Sequence, residues 1–305
     1  MTVSTRQPRR LPPDSPAGQV VLAYLREQSA ALESLEPGVR RDEPDAVHQM
    51  RVATRRLRGT LRTFRRVTGD AGHLAEELRW LGGVLGEARD AEVLADHLRS
   101  ALQDVPAEQV IGPVGARLQI HFAPVAAQSR QAVLAALDSE RYGSLRDELR
   151  QLIAEPPAQP WAAKPAGEVL PRAVRKAYRK TACRMDRARR AAPGPDTDTA
   201  LHEARKAAKQ ARYAGEVAQL VIGKDAARFT RRVKNLQSLL GDQHDAVIAR
   251  QHVRGLGMEA QLAGENAFTY GLLYERESEA AGRMRARARK AWKKASRPRY
   301  RGWMS

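Results

Sequence analysis

The stretch from His48 to Arg66, HQMRVATRRLRGTLRTFRR, carries side chains that suit the gripping of an anion. On a helix turning about 100° per residue, His48, Arg51, Arg55, Arg58, Arg62, Arg65 and Arg66 gather on one side. They fall within an arc of roughly 100°. Met50, Ala53, Leu57, Leu61 and Phe64 take the other side, as an apolar stripe does when it faces a core. No acid lies between Asp45 and Asp70. Solvated helix faces normally mix signs, because like charges three and four residues apart repel. Arginine at this spacing suits bidentate contact with phosphate oxygens. The stretch therefore reads as a rail for a polyanion. The alternative is a basic surface with no dedicated partner.

A second rail follows in ALHEARKAAKQARYAGE, from Ala200. His202, Arg205, Lys209 and Arg212 repeat His48, Arg51, Arg55 and Arg58 at an offset of 154. Ala204, Ala207, Ala211 and Ala218 form its apolar stripe. Glu216 stands where the first rail has Arg62, so the second copy has fewer cations at that end. A further block follows each rail. Leu81, Leu85, Gly86, Glu87 and Asp90 answer to Leu236, Leu240, Gly241, Asp242 and Asp245 at an offset of 155. Two ordered blocks at nearly one offset imply an internal repeat of about half the chain. Its period is too long for a solenoid, so two similar halves about an approximate twofold axis are expected.

The leading histidines have three candidate roles: neutral hydrogen bonder, phosphate ligand when protonated, or metal ligand. A polyanion nearby would favour protonation. A metal would need further donors at short range, and the spacing supplies none on the same turn. Glu87, Asp90, Asp242 and Asp245, with His244 beside them, raise magnesium binding or acid–base chemistry as an alternative. Their expected role is to orient rail arginines from a neighbouring helix. Arg79 and Lys234 occupy equivalent places in the two copies and extend the candidate binding set. Arg175 and Arg179, with Lys176, form another basic face. There is no nucleophile triad, P-loop or metal motif, and Thr54 and Ser238 have no base at useful spacing. No catalytic residue, metal or cofactor is expected.

Composition sets the frame for these rails. The 305 residues are 42% hydrophobic and only 5% aromatic, with a formal net charge of +18. Ala, Leu, Arg and Glu dominate, which favours helix, and strand-like alternation of β-branched residues is missing. The charge attracts polyanions in general. Cys183 is the single cysteine, so no internal disulfide forms, and a buried or inert thiol is expected. No apolar run reaches membrane-spanning length, and the N-terminus lacks the apolar core of a secretory signal. A cytoplasmic protein is the expectation.

Residues 1–16, rich in Pro and Arg, read as a disordered tail. The first bundle is expected over 17–154. Its first helix is stopped by Glu36-Pro37-Gly38, and Asp45 serves as N-cap of the rail. A helix over 73–102 follows the rail, then one to about 137 and a shorter one from Arg141. EPPAQPWAAKPAG, over 155–167, is the clearest linker. The second bundle covers 168–295, with Asp198 or Thr199 capping its rail. Its last two helices are expected over about 225–254 and 258–295. Residues 296–305 read as a loose tail. The sum is an all-α protein of two four-helix bundles.

These residues resemble the CHAD domain (conserved histidine α-helical domain) family. The resemblance rests on VVLAYLREQ, DAVHQMRVATRRLRGTLRTF, LGEARDAEV, LDSERYGSLRDEL, LHEARKAAKQARYA and LGDQHDAVIA, in the family's order over roughly 18–295. It implies two four-helix bundles with pseudo-twofold symmetry and binding of inorganic polyphosphate in a basic groove or pore between them. It also implies association with polyphosphate granules. Carried over by position, the rail residues are His48, Arg51, Arg55 and Arg58 with His202, Arg205, Lys209 and Arg212. The competing functions are nonspecific nucleic-acid binding at low salt and metal-dependent phosphohydrolysis. Scarce aromatics leave a base-stacking platform poorly supported.

Overall fold

A computed structural model describes residues 10–304. Among them run ten α-helices and no strand. The first half contributes α1 (Ala17–Arg40), α2 (Ala46–Thr63), α3 (Arg65–Thr68), α4 (Gly72–Gln103), α5 (Val114–Asp138) and α6 (Glu140–Ala154). The second half contributes α7 (Ala166–Arg190), α8 (Pro195–Ile222), α9 (Lys224–Leu262) and α10 (Phe268–Ala295). Within each half the long helices pack in chain order: α1 on α2, α2 on α4, α4 on α5, and α7 on α8, α8 on α9, α9 on α10. The fold is all-α, in two bundles built to one plan.

The repeat extends further than the rails. α1 opens Ala17-Gly18-Gln19-Val20 and α7 opens Ala166-Gly167-Glu168-Val169, at an offset of 149. The buried positions Ala17, Val20, Leu25, Gln28 and Leu32 recur as Ala166, Val169, Val174, Ala177 and Thr181. The rails are offset by 154, so the second half carries five extra residues between its first helix and its rail.

Two junctions between the halves frame the site. The first is the crossing of the rail helices, α2 on α8. A Cβ on Gly59 would stand 2.9 Å from the Tyr213 ring, so only glycine lets the backbones approach this closely. Gly59 and Tyr213 are repeat equivalents, which places the pseudo-twofold axis at their contact. A large apolar core surrounds the crossing, with Leu25, Met50, Leu57, Phe64 and Leu81 from one half and Val174, Ala204, Ala211, Phe229 and Leu236 from the other. Each fully buried Leu or Phe contributes about 1.5–3 kcal/mol. The second meeting is at the far ends of the α4–α5 and α9–α10 hairpins. There Leu98, Val114 and Phe122 pack with Val253, Leu256 and Tyr270 in a separate core. Arg117 grips Glu265 through two guanidinium nitrogens across that junction. The polar midsections of α4 and α9 lie between the two cores.

Several elements differ from the sequence expectation. α1 continues through Pro37 to Arg40, where Arg130 of α5 donates to the exposed carbonyls of Val39 and Arg40. Asp45 precedes α2 but sits in a left-handed conformation at φ 66° and makes no capping bond; its carboxylate accepts from Gln49 at 2.6 Å. Asp198 lies inside α8, which already starts at Pro195, and accepts from Gln243 and Arg250 on α9 instead. α9 runs unbroken to Leu262, past the expected break near 254–258. Of the expected N-terminal tail, residues 1–9 lie outside the described residues. Residues 10–16 are tied down: Leu11 N donates to Leu220 O at 2.8 Å, and Pro16 forms an isolated bridge with Pro165. The C-terminal segment likewise folds back, with Met304 buried and Trp303 against Phe229. Cys183 is exposed rather than buried.

Candidate functional site

The apolar stripe of α2, Met50, Ala53, Leu57 and Leu61, is buried in the large core. That burial fixes the rotation of the helix, so the cationic side turns to the polar zone between the cores. The alanine stripe of α8, Ala204, Ala207, Ala211 and Ala218, does the same for the second rail. The two rails then share one space. Arg55 feels Arg205 and Arg212 of the other half, and Lys209 feels Arg51 and Arg55.

Each rail is steadied by the following long helix in the same way. Arg51 donates to both carboxylate oxygens of Asp90, at 2.7 and 3.2 Å. Arg205 reaches Asp245 at 3.5 Å. Gly86 and Gly241 leave room for these guanidinium groups: a Cβ would meet Arg51 at 3.3 Å and Arg205 at 3.4 Å. The aspartates thus orient rail arginines. Arg212 is drawn aside by Glu216, at 2.7 Å, and by Gln237. Arg55, Arg58, Arg62 and Lys209 have no ion pair among the described residues.

The electrostatic strain is visible in the titrating groups. Burial, then Arg205, Arg55 and Arg51, push the Lys209 ammonium down to about 7, with Asp245 opposing them. Burial and the neighbouring cations lower Arg55 and Arg58 from their ordinary values. His202 falls to about 4, through burial, His244, Lys206 and Arg205. His48 is lowered too, chiefly by burial. The leading histidines are therefore neutral near pH 7. Burial first, and then Asp90, raise the Asp245 carboxyl while Arg205 pulls it back.

Donors stand ready in this zone. The Nε atoms of Arg51, Arg55, Arg58, Arg89 and Arg205 are buried with no hydrogen-bond partner among the described residues, as is Nδ1 of His202, a donor or an acceptor by tautomer. Buried polar groups are nearly always satisfied, so such a cluster marks a place where an acceptor belongs.

Not every residue singled out by sequence converges here. Arg62 lies at the far end of α2, exposed, and Arg79 is exposed and paired with Glu76 at 3.0 Å. Burial, followed by Arg62 and Arg79, lowers Arg58, so both lie near the end of the first rail. Among the described residues no hydrogen bond or ion pair ties Lys234, Arg175 or Arg179 to either rail, and Lys234 and Arg179 face solvent. Two other residues do reach the histidines. The His244 ring lies against His202, tilted by 45° with centroids 4.3 Å apart, and Arg89 acts on His48. Arg89 and His244 are repeat equivalents at the 155 offset, a match that ties His244, read from sequence only as a neighbour of the acids, to the rails.

A model of the CHAD domain family matches residues 23–254. The uncharacterized proteins MT2285 and Rv2226, from two strains of Mycobacterium tuberculosis, are each 36% identical over 291 residues. That is 94% of this chain but 55% of each relative, so the chain spans about half the length of the curated relatives it matches. Among solved structures, PptA from Streptomyces chartreusis superposes with a TM-score of 0.76 at 22% identity, over 92% of this chain and 100% of that one; the likeness is one of fold. The CHAD domain from the plant Ricinus communis superposes with a TM-score of 0.66 at 25% identity, over 98% of this chain and 94% of that one. No helix among the described residues is long and apolar enough to cross a membrane. With a family model spanning the first rail, the second rail and both steadying aspartates, the chain belongs to the CHAD domain family.

Proposed function

We propose that this protein binds inorganic polyphosphate without breaking it down, holding the chain between its two rails. The observation that carries this reading is the set of buried, unpartnered guanidinium Nε donors shared by α2, α8 and α4. A charged polymer with acceptors at every repeat supplies what those donors lack, and charge-assisted bonds to phosphate are among the stronger ones. Polyphosphate is the polyanion that the family resemblance implies. Nucleic acid fits the zone less well. Its bases would seek stacking surfaces, and Tyr213 at the crossing is buried against Gly59. Metal-dependent hydrolysis has less support still, since Asp90 and Asp245 are engaged by arginines. The same reading places the protein in the cytoplasm, at polyphosphate granules.

The test is competition near physiological salt. Labelled long-chain polyphosphate is challenged with excess DNA, RNA and short phosphates, for the wild type and for Arg51→Glu/Arg205→Glu. Binding that survives the competitors and is lost in the double variant supports a dedicated site. Equal competition by nucleic acid, with the variant behaving as wild type, sinks the proposal. Phosphate release in the presence of magnesium would overturn its non-enzymatic part.

A further inference from the structure

The pseudo-twofold symmetry fails at the seam of the rail helices. On one flank of the α2–α8 crossing the seam is plugged. Glu216 accepts from Tyr24 Oη at 2.8 Å, from Arg56 Nε at 3.0 Å and from Arg212 Nε at 2.7 Å. Arg56 also reaches Gln28 at 3.5 Å. On the other flank the equivalent positions leave a cleft of about 430 Å³ between α2, the start of α4, α7 and α8.

The offsets of 149 and 154 say why it is open. Tyr24 and Gln28 are matched by Ala173 and Ala177, so the two groups that fill the plug are cut back to methyls. Glu216 is matched by Arg62, and Arg56 by Gln210, so the acid that held the plug has become a cation. Glu27 is matched by Lys176, a second reversal of charge. Lys180 and Arg65 complete the lining. Among the described residues, none of the side chains of these four cations takes part in a hydrogen bond or ion pair. The acid at the rim, Asp70, is turned to the Gly72 backbone N–H at 3.1 Å.

We propose that this cleft is a second anion site, taking a compact oligophosphate rather than a long polymer. Four unpaired cations around a space of ligand size suit a group bearing three or four negative charges. Thr63 and Gln210, 3.5 Å apart, add neutral donors at its wall. The inference does not rest on polyphosphate being the ligand of the rails. Arg62 ends the first rail and lines the cleft, so the two sites adjoin.

The experiment is calorimetric titration with tripolyphosphate and, separately, ATP. It is run on the full chain in an Arg51→Ala/Arg205→Ala background that weakens the rails. One tripolyphosphate per chain is expected to bind. Lys176→Ala/Lys180→Ala, two exposed positions, should weaken it about tenfold or more, as loss of about 1.4 kcal/mol would. Ala173→Tyr, which installs the residue of the plugged flank at a half-buried lining position, should weaken it similarly. Parallel loss of ATP binding identifies a nucleoside-borne triphosphate; tripolyphosphate binding alone identifies a free condensed phosphate. Both support the site. Absence of tripolyphosphate binding in the folded background, or binding unmoved by both cleft variants, overturns it. Failure of the rails would show elsewhere, as long-chain binding indifferent to Arg51→Glu/Arg205→Glu.

Discussion

At the scale of single residues, Lys209 is where a bound polyanion will be felt most. Its ammonium, ordinarily at 10.5, is held near 7 in the free protein, by burial first and then by Arg205, Arg55 and Arg51. Phosphate beside it favours the charged form and raises that value. The complex then holds more protons than the free protein above pH 7. Affinity should rise as pH falls from the raised value toward 7, and level off below. Calorimetry at pH 8 in buffers of different ionisation enthalpy should read net proton uptake, reduced in Lys209→Arg. Folding shows the opposite face of the same shift. Between about 7 and 10.5 the unfolded chain binds more protons, so the ligand-free protein gains stability as pH rises through that window. Glu216 is also held below its ordinary value, but by attraction rather than repulsion, so its contribution too grows as pH rises. Burial raises its carboxyl, but Arg56, Arg212 and the hydrogen bonds from Arg212 and Tyr24 outweigh that and hold it below its ordinary 4.5. Its contribution is complete above the ordinary value and disappears as pH falls through the depressed one. Glu216→Gln strands two arginines beside a neutral amide and should cost about 3 kcal/mol at pH 7. Denaturant titration of the variant at pH 7 and pH 4 should show that deficit shrinking with acid.

At the scale of elements, the crossing of α2 and α8 decides whether two rails make one site. Gly59→Ala places a methyl 2.9 Å from the Tyr213 ring. Overpacking of this kind costs about 1–3 kcal/mol. Helix propensity alone would make the same change favourable by about 1 kcal/mol, so the sign of the measured effect separates contact from propensity. Tyr213→Ala added to Gly59→Ala should recover part of the loss, and a double-mutant cycle on unfolding midpoints reads the coupling. This crossing also marks how far the sequence could be read. The rails were legible because a run of cations on one helical face is written at fixed spacing, and the repeat was legible because acids and glycines recur with it. The role of Asp90 and Asp245 as orienting partners followed from the same blocks. Gly59 was silent, since a glycine inside an arginine-rich helix shows its purpose only when Tyr213 is seen against it. The match of α1 to α7 was also hidden: few identities survive, and five extra residues break the offset. Helix ends misled for a tertiary reason. Arg130 of α5 satisfies the carbonyls beyond Pro37, and nothing in the local sequence announces that.

At the scale of the whole molecule, two apolar cores clamp a polar zone between two halves that carry like charge. A net charge of +18 by itself would draw any polyanion to the surface. The architecture makes a sharper demand, because the unpaired cations Arg55, Arg58, Arg62 and Lys209 come from both halves. A chain long enough to touch both rails gains the second as an intramolecular step, while a short one engages either rail alone. Affinity should therefore climb steeply with chain length and then flatten once both rails are spanned. Salt dependence tests the same point independently. Each neutralised phosphate of a single-stranded polyanion contributes roughly −0.7 to the slope of log K against log salt. Four cations working together predict a slope of about −3 for long chains, by the same relation. Short chains held on the first rail, which carries three of the four, should show about −2 by the same relation. Arg205→Ala, which loosens the second rail, should bring the long-chain slope down toward the short-chain one. If the slope were instead far steeper and indifferent to that substitution, the whole basic surface would be the binding partner. The clamp of two cores would then be holding the rails together for some other end.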